Sequence, residues 1–295
     1  MNLKSKLFKY LLLFKRKIRG KLFNIYSLIP TKRSEIDKIA EKVSISINNG
    51  ISKSENIIKL NSIEEQNDYF PLLRSNNFLE ESFYKCLNQE VKSLMIDNKL
   101  LKEDESKEKF DRCNLLLDEK HGFDNLLELK KRKSYLYSLY EYLDSFEFRT
   151  FLYKKFNKYL LDYGFTASPI KAFMKSKLYF QYCEARKGYQ NSIHIDRRTR
   201  VVHGLMYFGN EDFTGGEFSI YKHKKLKNSD YKRTANKSDI LEHKNIEPEH
   251  NKAVLILSTP NSYHKGKCSD GLRRFLYWGY TLRNDCWINS NKIIL

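Results

Sequence analysis

The stretch HIDRRTRVVHGLMYFGN, residues 194–210, combines a strand with two polar side chains that can share one side of the backbone. Residues 200–208 are mostly β-branched, aliphatic or aromatic, which favours a β-strand. His194 and Asp196 stand two residues apart just before this run. In extended backbone, residues i and i+2 point to the same side. The two side chains can therefore converge on one point.

His264 supplies a third polar side chain further along the chain. It follows the strand-like run AVLILS (253–258) and a turn, and it precedes a second such run, RRFLYWGY (273–280). A rolled antiparallel sheet can bring it beside His194 and Asp196. Two imidazoles and one carboxylate on one face of a metal leave three positions open, and non-haem Fe(II) oxygenases use this arrangement.

Two adjacent arginines open the second of these runs. Arg273 lies nine residues after His264, and its planar guanidinium offers a fork for a carboxylate. Adjacent strand residues face opposite ways, so only one of Arg273 and Arg274 should point into a barrel. The spacing favours Arg273 as the anchor for the far carboxylate of an oxo-acid that chelates the metal.

The remaining histidines of the second half are predicted to have other roles. His203 lies within the strand-like run and is expected to be a packing residue. His223, His243 and His250 lie in or beside the hydrophilic stretch 223–250, which we expect to be a surface insertion between two strands.

The distribution of glycine divides the chain into two halves. Nine of the 12 glycines lie at or after Gly164, and the first half is poor in turn-forming residues. This pattern predicts a helical N-terminal half and a β-rich C-terminal half. The expected helices are at 34–50, 86–103, 123–145 and 146–162, and the expected strands are at 176–185, 200–208, 216–222, 252–258 and 273–282.

Five sequence elements recur here in the order known from one enzyme superfamily. They are His194-Ile195-Asp196, Tyr207-Phe208-Gly209-Asn210, Gly215-Gly216-Glu217, His264 and Arg273. In this order and spacing, the segment 176–283 resembles the 2-oxoglutarate/Fe(II)-dependent oxygenases, in particular the catalytic domains of prolyl 4-hydroxylases. The resemblance covers about a third of the chain, and the first 165 residues resemble no family that we can name.

The resemblance implies an α+β fold. It predicts a double-stranded β-helix (jelly-roll) core in the C-terminal half, with the helical N-terminal half packed on it. The expected organisation is a basic amphipathic segment at 1–33, a helix-rich region at 34–165 and the jelly-roll domain at 166–295.

The resemblance also implies a chemistry. Fe(II) would be held by His194, Asp196 and His264, and 2-oxoglutarate by Arg273. Members of the superfamily use O2 to couple oxidative decarboxylation of 2-oxoglutarate, which gives succinate and CO2, to hydroxylation of a C–H bond, in some cases with ascorbate. No catalytic residue beyond the metal centre is expected. Asp196 argues against halogenation, because halogenating relatives have a small residue in its place.

Several neighbouring side chains are weaker candidates. Relatives often place a tyrosine against 2-oxoglutarate, and Tyr182 is the candidate here, with Tyr189 nearby. Arg200, four residues after Asp196, is predicted to contact substrate or co-substrate, or to be a surface charge. Tyr207 is expected in the core. Two further side chains, Ser258 and Tyr263, are candidate partners that orient His264.

The N-terminal segment is strongly basic. Residues 1–33 contain ten lysines and arginines and no acidic residue, and apolar positions recur at helical spacing over 3–26. Such a helix can dock on its own domain, lie on an anionic membrane surface or bind nucleic acid, the last being disfavoured. The alternative function is accordingly a non-catalytic jelly-roll that acts through this helix at a membrane or an acidic partner. A nucleic-acid demethylase ranks lower, because Gly279 stands near the place of a second arginine in that branch.

Composition indicates the cellular compartment expected for the protein but does not identify its substrate. The five cysteines form no Cys-x-x-Cys pair, which argues against a disulfide framework and a zinc knuckle. No apolar run approaches the roughly 20 residues of a membrane-spanning helix. We therefore expect a cytoplasmic protein, with peripheral membrane attachment left open. Protein side chains, free amino acids, sugars and lipid-linked intermediates all remain open as substrates.

Overall fold

A computed structural model describes most of the chain. The described residues are 14, 17–19, 57–96, 102–103, 112–117, 122–169, 171–209, 214–224 and 233–287. The helix predicted at 34–50, most of the basic segment 1–33 and the motif residue Asn210 lie outside them. Within these ranges, no helix is both long enough and apolar enough to cross a bilayer.

Eleven strands form two antiparallel sheets in the described residues. They are β1 (Glu64–Gln66), β2 (Leu72–Ser75), β3 (Lys102–Glu103), β4 (Arg112–Leu116), β5 (Lys177–Ala185), β6 (Arg200–Tyr207), β7 (Phe218–His223), β8 (Ile240–Ile246), β9 (Ala253–Leu257), β10 (His264–Gly266) and β11 (Arg273–Thr281). The large sheet has the order β1-β2-β9-β6-β11-β5-β4-β3, and the small sheet has the order β10-β7-β8.

The two sheets face each other across an apolar core. Strands β9, β6, β11 and β5 of the large sheet turn alternate residues toward the small sheet, as the strand period of two requires. We call this the inner face. Its buried residues include Cys183, Leu205, Tyr207, Val254, Ile256 and Phe275, which pack with Phe218, Ile220 and Ile246 of the small sheet. Two facing antiparallel sheets of this kind are consistent with a jelly-roll.

Helices cover the opposite, outer face of the large sheet. They are α1 (Glu81–Ile96), α2 (Phe123–Lys131), α3 (Tyr135–Leu143) and α4 (Phe146–Phe156). Their apolar residues share a second core with the outer-face residues Phe180, Tyr182, Met206, Leu276 and Trp278. The helix predicted over 123–145 is divided into two, since Lys133 has a φ of 53° and Ser134 caps α3.

The five predicted strands correspond to β5, β6, β7, β9 and β11. Three features of the sheets were not predicted, the first being the short strand β10 at His264–Gly266. The hydrophilic stretch 223–250 contains β8, an exposed edge strand that pairs with β7. The region 34–165, predicted as helix-rich, also contributes β1 to β4 to the large sheet. The hydrophilic sequence of β8 did not indicate a strand, because a strand at the exposed edge of a sheet can consist mostly of polar residues.

Arg19 of the basic segment lies against the folded body. It is 6% exposed, and its Nε donates to the Met174 carbonyl oxygen at 2.8 Å. Its guanidinium is 3.4 Å from the Asp144 carboxylate, which also pairs with the fully buried Arg149 at 2.5 Å. At this one position the segment therefore contacts its own domain. Most of residues 3–26 lie outside the described part of the chain.

Candidate metal centre

His194 and His264 are brought together by direct backbone pairing. The His194 N–H donates to the His264 carbonyl at 3.0 Å, and the His264 N–H donates to the His194 carbonyl at 2.8 Å. The two imidazole centroids are 4.4 Å apart. The short strand β10 thus places the distal histidine beside the segment that carries His194 and Asp196.

His194, Asp196 and His264 form a cluster suited to a metal ion. Each offers a ligand atom, and these atoms lie within 4.8 Å of one another. In the described residues this is the one such group of three or more histidine, cysteine or acidic side chains. Two nitrogens and one carboxylate oxygen fit a first-row divalent metal, Fe(II) included.

Hydrogen bonds on the far side of both rings agree with metal binding. The Nδ1 of His194 lies 2.8 Å from the Ser192 carbonyl oxygen, and the Nδ1 of His264 lies 2.9 Å from that of Ser262. A carbonyl can only accept, so each Nδ1 carries the proton and each Nε2 presents a lone pair. Metal-binding histidines usually have a partner of this kind. Ser258 and Tyr263, the partners predicted for His264, do not fill this place.

The protonation of the cluster also favours a cation. Burial lowers the pKa of His194 and places that of His264 well below its usual value, although Asp196 opposes the shift in both. Burial alone would raise the pKa of Asp196, but the charge of Arg200 and contact with His203 hold it well below its usual value. Near neutral pH the site therefore offers two neutral imidazoles and a carboxylate.

Asp196 is contacted on both oxygens. Arg200 lies 3.2 Å from Oδ1, and His203 Nδ1 lies 2.7 Å from Oδ2. Arg200 is therefore not a surface charge, and its side chain is 16% exposed. Its guanidinium carbon lies 5.8 Å from the Tyr179 ring and 5.3 Å from the Tyr277 ring.

Gly279 makes room for Arg200. A Cβ at this position would lie 3.1 Å from the Arg200 Nε. The strand pair β6–β11 shifts register between Tyr280 and Thr281, close to the residue that faces Arg200. A glycine at 279 therefore accommodates the arginine of the neighbouring strand.

Arg273 lies on the inner face of β11 and is 3% exposed. It donates to the carbonyl oxygens of Gly216 and, at 3.2 Å, Lys267, while its Nε has no hydrogen-bond partner among the described residues. Gly216 has a φ of 75°, and a Cβ there would lie 3.0 Å from the Arg273 Nη1. The Gly215-Gly216 pair therefore allows the backbone to approach this guanidinium.

Tyr207 joins Arg273 on the inner face, although the sequence suggested only a core residue. Burial raises the pKa of Tyr207 to about 12, and the charge of Arg273 opposes that shift, which reflects their proximity. A buried guanidinium and a phenol O–H together can bind a carboxylate.

Tyr182 is not brought to the cluster. Its side chain lies on the outer face of β5, fully buried in the core shared with the helices, and its O–H donates to Glu184 at 2.8 Å. The assignment of Tyr182 to co-substrate therefore needs correction, because strand alternation turns this residue away from the metal ligands. Tyr189 lies in the inner core, and its O–H donates to Asn191 at 2.9 Å.

The position of His203 beside the cluster was also not predicted from the sequence. It lies on the inner face of β6 with 0% exposure, and its ring centroid is 4.8 Å from that of His264. The alternation His203, Leu205, Tyr207 already placed three residues on one face of this strand. The sequence contained no sign that this was the face turned toward the cluster.

Comparisons with known proteins give structural similarity without close sequence relatives. A scan against protein-family models finds no matching family, and a search of curated proteins finds no match. The solved structures similar to this chain include prolyl hydroxylases, a member of the 2OG-Fe(II) oxygenase family and a dioxygenase bound to 2-oxoglutarate.

Three of these structures illustrate the degree of similarity. A prolyl-4-hydroxylase from Pseudomonas putida is 14% identical, with 72% of this chain and 93% of that chain covered and a TM-score of 0.43. A prolyl hydroxylase from Trichoplax adhaerens, in complex with a hypoxia-inducible-factor peptide, is 15% identical, with 85% and 94% covered and a TM-score of 0.42. The dioxygenase for auxin oxidation 1 from Arabidopsis thaliana, bound to 2-oxoglutarate, is 12% identical, with 78% and 90% covered and a TM-score of 0.48. Similarity at this level is too low to carry an argument about function, which depends on the geometry of the site.

Proposed function

We propose that this protein is an Fe(II)- and 2-oxoglutarate-dependent dioxygenase that hydroxylates a C–H bond, with release of succinate and CO2. The observation that carries the proposal is the cluster of His194, Asp196 and His264, in which both imidazoles direct Nε2 away from their carbonyl partners. This donor set leaves positions on a metal for further ligands.

In this proposal the chain's own residues have three tasks. His194, Asp196 and His264 hold the iron, which when bound supplies the activation of O2. Arg273 and Tyr207 hold the far carboxylate of 2-oxoglutarate, supported by the burial of the guanidinium and its unpartnered Nε. Arg200 balances the charge of Asp196 at 3.2 Å. The apolar inner face excludes water from the reacting atoms.

The proposal is tested by succinate formation. Metal-stripped full-length protein is supplied anaerobically with Fe(II) and 2-oxoglutarate and then given O2, with and without ascorbate. We expect succinate from the wild-type protein even without a prime substrate, and none from His264→Ala. Binding of Fe(II) and 2-oxoglutarate is followed separately by the visible charge-transfer band.

The same experiment separates the proposal from its alternative. Absence of both succinate and the charge-transfer band would favour a non-catalytic jelly-roll that acts through its basic N-terminal segment, at an anionic membrane or an acidic partner. A prolyl 4-hydroxylase-like specificity is the narrower form of the proposal. It predicts that proline-containing peptides increase succinate formation, and free amino acids and other small molecules are tested beside them.

A further inference from the structure

Arg200 lies over the inner face, toward the opposite end of β11 from Arg273. Its Nε is 3.1 Å from the place that a Cβ at Gly279 would take. Gly279 and Arg273 are six residues apart on β11, which corresponds to about 20 Å of strand. The guanidinium of Arg273 lies instead against the Gly216 carbonyl. The two arginines therefore do not hold the same carboxylate, and Arg200 is placed for a different molecule from the one assigned to Arg273.

Two tyrosine rings flank the Arg200 guanidinium. Its central carbon lies 5.8 Å from the Tyr179 ring and 5.3 Å from the Tyr277 ring, and the two rings meet edge to face at 6.0 Å. Both tyrosines are half-buried. The Tyr277 ring is also 6.0 Å from the ring of His203, which borders the cluster. Arg200, Tyr179 and Tyr277 therefore form a slot beside the candidate metal centre, which we call the tyrosine slot.

Arg200 uses only part of its hydrogen-bonding capacity. Its Nη1 donates to Asp196 Oδ1 at 3.2 Å, while its Nε is buried and has no hydrogen-bond partner among the described residues. In a guanidinium, Nε–H and one N–H of Nη2 point the same way and match the two oxygens of a carboxylate. The side chain as a whole is 16% exposed, so a ligand can approach it. A carboxylate is the group that would complete its hydrogen bonds.

The formal charges of the loaded site also favour an anion. Fe(II) would contribute two positive charges, and Arg200 and Arg273 one each, while the metal-binding imidazoles are neutral. Asp196 removes one charge and the dianion 2-oxoglutarate removes two, so one positive charge remains among these groups. Arg233 adds another nearby, since its carbonyl accepts from the Ile195 N–H at 2.9 Å. A substrate with one negative charge is therefore attracted to this side of the site.

We propose that the substrate carries a carboxylate and that Arg200 is the residue that selects it. The carboxylate accepts from Nε–H and Nη2–H, while Nη1–H stays on Asp196. The carbon skeleton of the substrate packs on Tyr179 and Tyr277, beside the metal centre. A carboxylate fits better than a phosphate, because it is planar and carries a single charge. This inference deepens the proposed function and rests on it.

The test compares probes that differ only in the carboxylate. N-acetyl-L-proline is paired with its neutral amide, and N-acetyl-L-leucine with its own. Their Kd values are measured by anaerobic calorimetry on the full-length protein with Fe(II) and saturating 2-oxoglutarate, so that Arg273 is already occupied. We expect the wild-type protein to bind the acids about 10-fold more tightly than the amides or better, as charged hydrogen bonds provide. In Arg200→Gln the Kd values of acid and amide should become equal.

Controls separate recognition from charge and from metal binding. Arg197→Gln removes an equal charge from an exposed position in the same turn and should keep the wild-type preference for acids. Because Arg200 also contacts Asp196, the preference is taken as the ratio of two Kd values within one variant, which cancels differences in metal affinity. Arg200→Lys keeps the charge beside Asp196 without the planar fork. It replaces Arg200→Gln if that variant does not bind Fe(II), and should lose most of the preference.

Three results would overturn the inference: no preference for acids, or no binding of them, in the wild-type protein; an undiminished preference in Arg200→Gln; or an equal loss in Arg197→Gln. A capped peptide pair that differs by glutamate or glutamine is measured beside the small acids. A preference in either set supports the inference and identifies the source of the carboxylate. The charge-transfer band of Fe(II) with 2-oxoglutarate is recorded first. Its absence from the wild-type protein would remove the proposed function, whereas its presence without a preference for acids removes only this inference.

Discussion

Arg273 and Arg274 are adjacent in the chain but lie on opposite faces of β11. Arg273 is buried on the inner face, where its guanidinium donates to the Gly216 carbonyl. Arg274 pairs across the sheet with Glu184 on the outer face, where burial raises the pKa of that carboxyl and the charge of Arg274 opposes part of the shift. The two arginines are therefore a matched pair of equal charge in different environments.

This relationship predicts that only one of the two substitutions affects 2-oxoglutarate. Arg273→Ala should raise the KM for 2-oxoglutarate about 10–100-fold, because a hydrogen bond to a charged group contributes about 1.5–3 kcal/mol. Arg274→Ala should leave that KM unchanged. Both are measured by succinate formation at saturating Fe(II). Equal effects of the two substitutions would contradict the assignment of Arg273.

Tyr207 and Tyr182 provide a second matched pair. Tyr207→Phe removes a hydroxyl near Arg273 and should weaken 2-oxoglutarate binding about 5–10-fold, the value of one neutral hydrogen bond. Tyr182→Phe removes the hydrogen bond to Glu184 and should lower stability slightly without affecting 2-oxoglutarate. The charge-transfer band titrated with 2-oxoglutarate measures the first effect, and urea unfolding measures the second. If Tyr182→Phe weakened 2-oxoglutarate binding and Tyr207→Phe did not, Tyr182 and not Tyr207 would be assigned to the co-substrate site.

The metal-free protein should lose stability on acidification below pH 6.5. Burial lowers the pKa of His194 and of His264, so the unfolded chain, with histidine pKa values of about 6.5, takes up protons that the folded state does not. Stability from these groups is thus full above pH 6.5 and falls with pH, by up to about 1.4 kcal/mol per pH unit for each proton. Asp196, with a lowered pKa, remains ionised in both states over this window.

Urea unfolding at pH 7.5 and pH 5.5 measures this loss. His264→Leu removes one of the two groups and should reduce the loss on acidification. An identical loss in the wild-type protein and His264→Leu would show that His264 takes up its proton equally in both states.

Gly204→Ala should destabilise the fold through Trp278. A Cβ at residue 204 would lie 2.2 Å from the nearest indole atom of Trp278, which is fully buried and stacked on Phe78 at 5.7 Å. Overpacking of this kind costs about 1–3 kcal/mol, occasionally more. Urea unfolding measures the loss. In a Trp278→Leu background the same substitution should cost less, and strictly additive effects would contradict the proposed clash.

Local pattern predicted the central strands and the triad for separate reasons. The runs 200–208, 253–258 and 273–280 have high β-propensity and few polar interruptions, so their strands were evident. Strand β8 was not evident, because its pairing with β7 leaves most of its residues exposed and polar. The division between α2 and α3 was also missed, since a positive φ at Lys133 has no clear sequence signature.

The sequence by itself determined which residue types stand at which spacing. The His-x-Asp pair, the distal histidine and an arginine nine residues later are properties of the chain, and extended geometry alone places His194 and Asp196 on one side. Only the tertiary structure decided which face of each strand is inner. That choice depends on pairing between strands far apart in sequence and on which surface the helices cover. It turned Tyr182 away from the cluster, brought Tyr207 to Arg273, and placed His203 against Asp196.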